Sequence, residues 1–311
     1  MKISTNRFCA VLLCFITVLA LLTLKTTAEL PVDTAKKCSL EIVFAPEGIN
    51  ASGVEFKAYK VASVTASYEF SVEPDFKKQE ITKLLENPNT ENYRLLSSTL
   101  SGFIASDNKV KPKYTALSNQ SGTAVFKGME TGLYLITGEV YKDENACYIP
   151  QSFMVSLPKH NSDGSYNYDI SAETKWEKRL KDDKLDLEVL KVWKDSATNL
   201  HKNDNVTVEL YRNGKLYATV ILNKNNSWKH KWNNLSAGDL WTVRERNFKG
   251  YTATVERKED CFLITNIPKN PEKTPSVIPQ TGLLQWPVPI LTAGGILFII
   301  IGIYLKRKGE K

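Results

Sequence analysis

The sequence predicts an all-β protein with two β-sandwich domains in tandem, the first of which carries a helical insertion. Short runs of alternating apolar and polar residues, bounded by turn-forming residues, recur through most of the chain between Cys38 and Ile267. The exception lies between Asp75 and Ala105, where apolar residues are spaced by three and four positions as in a helix. Two β-rich regions with one helical interruption are best accommodated by two sandwiches.

The first domain is predicted to span residues 29–180, with the helical insertion at about residues 75–105. Its helical spacing is set by Ile81, Leu84 and Leu85, and then by Leu96, Leu100, Phe103 and Ile104, with Pro88 between the two sets. The alternating runs predict strands at Ser39–Phe44, Val54–Val61, Thr123–Lys127, Gly132–Thr137, Gln151–Leu157 and Tyr166–Glu173.

The second domain, residues 185–267, is predicted to be all strand. It follows the charged stretch Trp176–Lys184, which has no apolar period and is interpreted as a solvated linker. Alternation places Lys191, Glu245 and Asn266 on the inward faces of their strands. A buried ion without a partner costs several kcal/mol, so three polar groups on core faces require an explanation.

The two ends of the chain predict export. Residues 1–28 have a basic start and a long apolar run, as in a secretory signal peptide. Residues 268–277 form a Pro-rich stalk, and residues 278–311 contain the pentapeptide Ile278–Gly282, an apolar run at 283–305 and a basic tail. The apolar run is long enough for a transmembrane helix, and alone it would predict an ordinary membrane anchor.

Charge and cysteine content limit the partners and the disulfide bonds that the sequence supports. The chain has 41 Lys and Arg against 34 Asp and Glu, and most of this excess lies in the two predicted end segments. A nearly neutral mature chain gives no support for a nucleic-acid partner. Outside the predicted signal peptide, Cys38, Cys147 and Cys261 remain. Cys38 and Cys147 could form a disulfide in an extracellular protein, or all three could be free thiols.

The C-terminal segment resembles the cell-wall sorting signal of Gram-positive surface proteins, Leu-Pro-any-Thr-Gly, with Ile278 in place of leucine. The resemblance implies that a sortase cleaves between Thr281 and Gly282 and transfers Thr281 to an amine of the peptidoglycan cross-bridge. The membrane would then hold the chain only transiently, before sorting. The expected location is secreted, and then anchored to the cell wall.

Three segments of the first domain resemble recurring segments of streptococcal minor pilins: Tyr59–Ala62, Gly132–Leu135 and Phe153–Pro158. A fourth segment of interest is Tyr166–Lys175. The last resembles the pilin motif that ends in Tyr-Pro-Lys. Here Glu173 and Thr174 replace Tyr-Pro, so only Lys175 carries over as the inter-subunit acceptor. Leu185–Ile267 resembles the Cna B-type repeat of Gram-positive surface proteins, which implies Ig-like sandwiches.

The Cna B-type and pilin resemblances imply a role for the three inward-facing polar residues. Lys191 and Asn266 match the partners of a spontaneous isopeptide bond. Glu245 matches its catalytic acid, which when protonated would donate to the side-chain oxygen of Asn266. The alternative is a buried Lys–Glu pair hydrogen-bonded to an asparagine. In the first domain, Lys57 or Lys60 with Asn167 or Asp169 and Glu130 or Glu139 could form a second set, although ordinary surface residues account for them better.

The leading hypothesis from the sequence is a structural minor pilin, the basal subunit that joins a pilus of other pilin subunits to peptidoglycan. The rival hypothesis is a monomeric wall-anchored adhesin that binds host matrix. A secreted hydrolase is disfavoured because the sequence has no nucleophile elbow, phosphate loop or HExxH motif. No turnover activity, cofactor or metal is predicted.

Overall fold

The computed structural model describes residues 30–86, 88–195, 201, 204–246 and 248–269. These residues belong to one compact unit. The predicted signal peptide, nearly all of the stalk and the sorting signal lie outside them. In the part of the chain described here, no helix is long and apolar enough to span a membrane.

The first sandwich has thirteen strands in the described residues, with the bounds β1 Cys38–Val43, β2 Glu55–Val64, β3 Phe70–Val72, β4 Tyr114–Leu117, β5 Thr123–Met129, β6 Gly132–Gly138, β7 Tyr141–Lys142, β8 Ala146–Pro150, β9 Phe153–Leu157, β10 Lys159–His160, β11 Tyr166–Asn167, β12 Asp169–Glu173 and β13 Trp176–Leu180.

The first sandwich packs a three-stranded sheet, in the order β12-β1-β5, against a larger sheet in the order β3-β2-β6-β9, with β4 also paired to β2. The strands β8, β7 and β13 form a further sheet, and β10 pairs with β11.

Both faces of the β2–β6 pair are buried, because the sheets cover one face and helices cover the other. Phe56 and Ile136 point into the core between the sheets, whereas Val61 and Leu135 belong to a second core under the helices. Burial on both faces explains why β6 has an almost continuous apolar sequence rather than a clean alternation.

The helical segment lies between β3 and β4 and comprises a 3-10 helix at Pro74–Gln79, α1 at Thr82–Leu85 and α2 at Thr90–Ser106. The side chain of Asn89 accepts a hydrogen bond from the backbone of Asn92 at 2.9 Å, which caps the start of α2. Leu96, Leu100 and Phe103 are buried in the core that α2 shares with the first sandwich. The opposite side of α2 contacts the second sandwich, mainly at the strands Trp241–Glu245 and Tyr251–Lys258.

The predicted linker Trp176–Lys184 is wrong over its first half, because Trp176–Leu180 form β13. This strand pairs antiparallel with β8 along its whole length. The Trp176 ring packs on Tyr148 at 5.8 Å, and Arg179 pairs with Glu177 at 3.1 Å. Backbone pairing and charge pairs stabilise this strand, so it needs no apolar period. Only a short turn at residues 181–183 connects the two sandwiches.

The second sandwich has the strands β14 Lys184–Trp193, β15 Val206–Arg212, β16 Lys215–Leu222, β17 Lys229–Ser236, β18 Trp241–Glu245, β19 Tyr251–Lys258 and β20 Cys261–Pro268, with a 3-10 helix at Lys224–Asn226. One of its sheets has the order β17-β14-β20-β19 and the other the order β16-β15-β18. Pro268, predicted to begin the stalk, is the last residue of β20.

Asn213 and Gly214 form a hairpin turn that connects the paired strands β15 and β16. Both have positive φ, at 48° and 75°, as a two-residue turn of this kind requires. The Asn213 side chain adds a hydrogen bond to Asp239 at 2.8 Å.

Candidate functional site

The candidate site lies in the core of the second sandwich, where three strands each contribute one polar side chain. Lys191 and Asn266 come from β14 and β20, the first and last strands, which are parallel neighbours in one sheet. Glu245 ends β18 in the opposite sheet. The buried positions alternate along all three strands, and these residues occupy them among apolar neighbours such as Val189, Val243 and Ile264.

The structure brings the three side chains together around the Glu245 carboxyl group. Its Oε2 lies 3.4 Å from Nζ of Lys191, and its Oε1 accepts a hydrogen bond from Nδ2 of Asn266 at 2.7 Å. The Lys191 side chain is 0% exposed and the Glu245 side chain 1%. One carboxyl group therefore bridges an amine and an amide in a site that is buried from bulk solvent.

Burial changes the protonation of both ionisable groups. Loss of hydration lowers the pKa of the Lys191 amine to about 8, although the neighbouring Glu245 partly opposes this shift. Burial also raises the pKa of Glu245 above its ordinary value, with Lys191 opposing. Desolvation disfavours each charged form, so both shifts favour a neutral amine beside a neutral carboxylic acid. A neutral lysine amine is a nucleophile.

The orientation of the Asn266 amide differs from the sequence-based expectation. That expectation has protonated Glu245 donating to the amide oxygen, whereas here the amide nitrogen faces Glu245. Within the described residues, Oδ1 of Asn266 has no hydrogen-bond partner. The observed orientation places the carboxyl group beside the nitrogen that would have to leave, and polarisation of the carbonyl would require the amide to turn over.

This arrangement can support an amide exchange that balances without any co-reactant. Nζ of Lys191 would bond to Cγ of Asn266, and the bond from Cγ to Nδ2 would break. The amine gives up one proton and the departing nitrogen takes one, leaving as ammonia. A carboxyl group with one oxygen facing each nitrogen can carry that proton between them.

Two neighbours of the Lys191 amine were not assigned roles from the sequence. Nζ donates to the carbonyl oxygen of Val192 at 3.1 Å, and it lies 4.4 Å from the ring centroid of Trp193. Trp193 is two positions along the strand from Lys191, so the period of the strand places both on the same face. The Val192 contact depends on the lysine rotamer, for which the sequence has no signal.

The residues considered for a second set in the first sandwich form ordinary ion pairs. Lys57 contacts Glu139 at 2.7 Å, and Lys60 contacts Glu130 at 2.9 Å. Asp169 instead accepts from Ser39 at 2.5 Å. The other amide considered, Asn167, accepts from the backbone of Asp169 at 3.0 Å. No lysine–amide–carboxyl set comparable to that of the second sandwich occurs among these candidates.

Cys38, Cys147 and Cys261 are free thiols, the second of the two alternatives left open by the sequence. Cys38 is in the core of the first sandwich, where burial raises its pKa to about 11. Cys147 is on β8, and its sulfur occupies the space where a side chain at Gly238 would begin. The two thiols thus belong to different packing environments, and the considered disulfide is not formed.

The structure describes one of the two predicted attachment points, Lys175. Lys175 is exposed between β12 and β13, and its carbonyl accepts from the backbone of Gln151 at 2.8 Å. Thr281 and Gly282 lie outside the described residues. Across the described ranges, no group of three or more His, Cys, Asp or Glu side chains is arranged to hold a metal ion.

Comparison with known proteins locates a family match on this site. No curated protein sequence matches the chain. Among solved structures, the chain is similar to a single B repeat unit of the collagen-binding surface protein Cna of Staphylococcus aureus, with 16% identity, 76% of this chain and 99% of that chain covered, and a TM-score of 0.26.

Two pilins are similar at the same low level. For GBS52, the minor pilin of Streptococcus agalactiae, identity is 18%, the coverage is 75% of this chain and 98% of that chain, and the TM-score is 0.25. For the SpaB basal pilin of Lactobacillus rhamnosus GG, identity is 14%, the coverage is 45% of this chain and 95% of that chain, and the TM-score is 0.28.

The sequence match is specific to the second sandwich. Residues 187–267, which include Lys191, Glu245 and Asn266, match the Cna protein B-type domain.

Proposed function

We propose that the chain is a structural subunit of a sortase-assembled pilus, the basal subunit that is joined to peptidoglycan through Thr281. In this proposal the second sandwich carries an isopeptide bond between Lys191 and Asn266, formed with Glu245 as the acid–base group. Lys175 accepts the preceding subunit. Sortase, the peptidoglycan cross-bridge and a backbone pilin are the partners.

The observation that carries the proposal is the buried contact of Glu245 with both Lys191 and Asn266 in a Cna protein B-type domain. A buried ion pair is often no more stabilising than apolar residues of the same size, so stability alone does not explain this arrangement. A covalent bond between the first and last strands does, because it would resist separation of the two strands at which the chain enters and leaves the domain.

Mass spectrometry of the intact protein tests the crosslink. The mature chain is expected to be lighter by one ammonia than its sequence mass, because bond formation releases Nδ2 of Asn266. Lys191→Ala, Glu245→Ala and Asn266→Ala should each restore the full mass. Lys194→Ala, on the same segment but outside the site, is the control and should keep the deficit. A wild-type mass equal to the sequence mass would exclude the bond.

Electrophoresis of cell-wall extracts tests the pilin role and distinguishes it from a solitary adhesin. A pilus subunit is expected in a high-mass ladder that boiling in detergent does not resolve, whereas a solitary adhesin would run as one band. Replacing Thr281 should remove wall attachment. Lys175→Ala should remove the chain from the ladder, and Lys181→Ala, another exposed lysine nearby, should leave it there. Normal incorporation of the Lys175→Ala protein would move the acceptor to another lysine.

A further inference from the structure

One side of the second sandwich is completed by a helix from the first. Each of its two sheets ends on this side in an edge strand, β18 in one and β19 in the other. Helix α2 contacts both strands. We call this junction, formed by α2 with β18 and β19, the interdomain seam. An uncovered edge would present unpaired backbone groups to solvent, and covering it with a helix is a common solution.

Two residues one turn apart on α2 make the closest contacts at the seam. Oγ1 of Thr99 accepts a hydrogen bond from the backbone nitrogen of Val255 at 2.8 Å, in a buried position. Gly102 lies against β18, where a Cβ at this position would overlap the carbonyl oxygen of Val243. The helix therefore satisfies an edge group of β19 and approaches β18 as closely as a glycine permits.

These contacts lie directly beside the candidate site. Val243 is two residues before Glu245 on β18, and Ala253, two residues before Val255, is the register partner of Asn266. A cavity of about 50 Å³ at the seam is lined by Glu245 together with Thr99, Tyr251, Glu80 and Lys269. A space of this volume can hold a few water molecules but not bulk solvent. Glu80 also receives hydrogen bonds from Lys269 at 2.6 Å and Thr252 at 3.3 Å, which link the helical segment to the second sandwich at this place.

We propose that α2 is a positioning element for the isopeptide reaction of the second sandwich. By covering the seam, Thr99 and Gly102 keep bulk water from the Glu245 side of the site and so keep the lysine amine and the carboxyl group neutral. The inference rests on the proposed crosslink. It adds that the first sandwich is part of the reaction site, so that crosslinking follows docking of α2.

The consequence of opening the seam is a change in protonation. Water admitted beside Glu245 would restore hydration to the neighbouring Lys191 amine and raise its pKa from about 8 towards the ordinary value of 10.5. Each rise of one pKa unit lowers the neutral fraction about tenfold at a pH below the pKa. The other charged groups at the cavity are Lys78 and Arg244, and Asp195 is a further carboxylate that acts on the Lys191 amine.

The test measures ammonia loss over time in freshly synthesised full-length chain, by intact mass, across a range of pH. Gly102→Ala would push the helix from β18 while improving the intrinsic helix propensity of α2. Thr99→Val keeps the side-chain shape and removes the acceptor for Val255, so it tests the seam without a steric overlap if Gly102→Ala fails to fold. Thr90→Val, at the exposed start of the same helix, is the matched control.

We expect Thr99→Val and Gly102→Ala to lose ammonia about tenfold more slowly than wild type near neutral pH, and the midpoint of the rate–pH curve to rise by about one unit. Thr90→Val should match wild type in both respects. Equal rates in all four proteins would overturn the inference and leave the crosslink standing. Slower rates with an unmoved midpoint would also overturn it, because loosened packing alone would then suffice. A wild-type chain that loses no ammonia would overturn both proposals.

Discussion

The chemistry of a side chain depends on what surrounds it, as shown by Lys191, Glu245 and Asn266. Lys191 and Glu245 each lose nearly all hydration, and among the described residues each has the other as its charged neighbour within 4 Å. At an exposed position the same two groups would form an ordinary ion pair of small net value. Inside the sandwich the cost of desolvation favours the neutral forms, and this is the condition under which a lysine amine can attack an amide.

The first prediction concerns the energetic difference between two ways of losing the crosslink. Asn266→Ala and Glu245→Ala both remove the bond, which by analogy with the entropy of loop closure in disulfides contributes about 4 kcal/mol. Glu245→Ala also leaves the Lys191 amine without a carboxyl partner, and breaking a buried pair typically costs about 3–5 kcal/mol. Chemical denaturation should therefore find Glu245→Ala less stable than Asn266→Ala. Equal free energies of unfolding would mean that the carboxyl group contributes nothing beyond the bond.

At the residue scale, strand alternation was sufficient to place Lys191, Glu245 and Asn266 on buried positions. It could not give the orientation of the Asn266 amide or the contact of Lys191 with the carbonyl of Val192, because both depend on rotamers selected by the whole site. The free state of Cys38 and Cys147 was likewise open, since sequence separation says nothing about which sheet each cysteine occupies.

At the scale of elements, β13 and α2 show where local pattern is an incomplete guide. The charged sequence of β13 has no apolar period and therefore predicts a linker. A strand forms there because pairing with β8 stabilises it without an apolar face. In α2, the apolar spacing of Leu96, Leu100 and Phe103 indicated one buried side. Thr99 and Gly102 bury the other side, and small residues on a helix carry no pattern that predicts a second partner.

The second prediction concerns a carboxylate that ties three segments of the first sandwich. Glu130 lies in the connection between β5 and β6. Its Oε2 accepts from Lys113, just before β4, at 2.6 Å and from Lys60 on β2 at 2.9 Å. These hydrogen bonds, that of Lys113 first, lower the pKa of Glu130 to about 2 from an ordinary value of 4.5. Because the pKa is lower in the folded state, the ionised carboxylate stabilises the fold above pH 4.5, and this contribution is lost as the pH falls towards 2.

Glu130→Gln should therefore lower the Tm near neutral pH, and the difference from wild type should shrink as the pH is reduced from about 4.5 to about 2. Differential scanning calorimetry across this range measures the effect. Glu47→Gln, at an exposed position after β1, is the control for removal of one negative charge. A Tm difference that is independent of pH would contradict the assigned ion pairs.

At the scale of the whole molecule, the two sandwiches are held together by more than the chain between them. Arg94 of α2 pairs with Glu256 at 2.5 Å, and Arg179 of β13 pairs with Asp260 at 2.7 Å. The sequence predicted two sandwiches in tandem but not these contacts, because each pairs residues far apart in the chain. The seam also brings the first sandwich to the edge of the candidate site, which a description of two separate domains would not anticipate.

The last prediction concerns how the molecule carries tension in the proposed pilus. Load that enters at Lys175 and leaves through the stalk passes along β13 into β14 and out through β20. β14 and β20 are parallel neighbours that the Lys191–Asn266 bond would join, so the roughly 75 residues between these positions would be spared. The strands β1–β12 precede Lys175 and lie outside the direct path, although the seam keeps them attached to it.

Single-molecule pulling between residue 175 and the chain after Lys269 tests this path. The wild-type second sandwich should release no length between Lys191 and Asn266 when it yields. Asn266→Ala, which lacks the bond but retains the Lys191–Glu245 pair, should release about 250 Å at about 3.4 Å per residue. Release of that length by the wild type would show that the crosslink does not carry the load. An equally short release by both proteins would show that the fold resists tension without the bond.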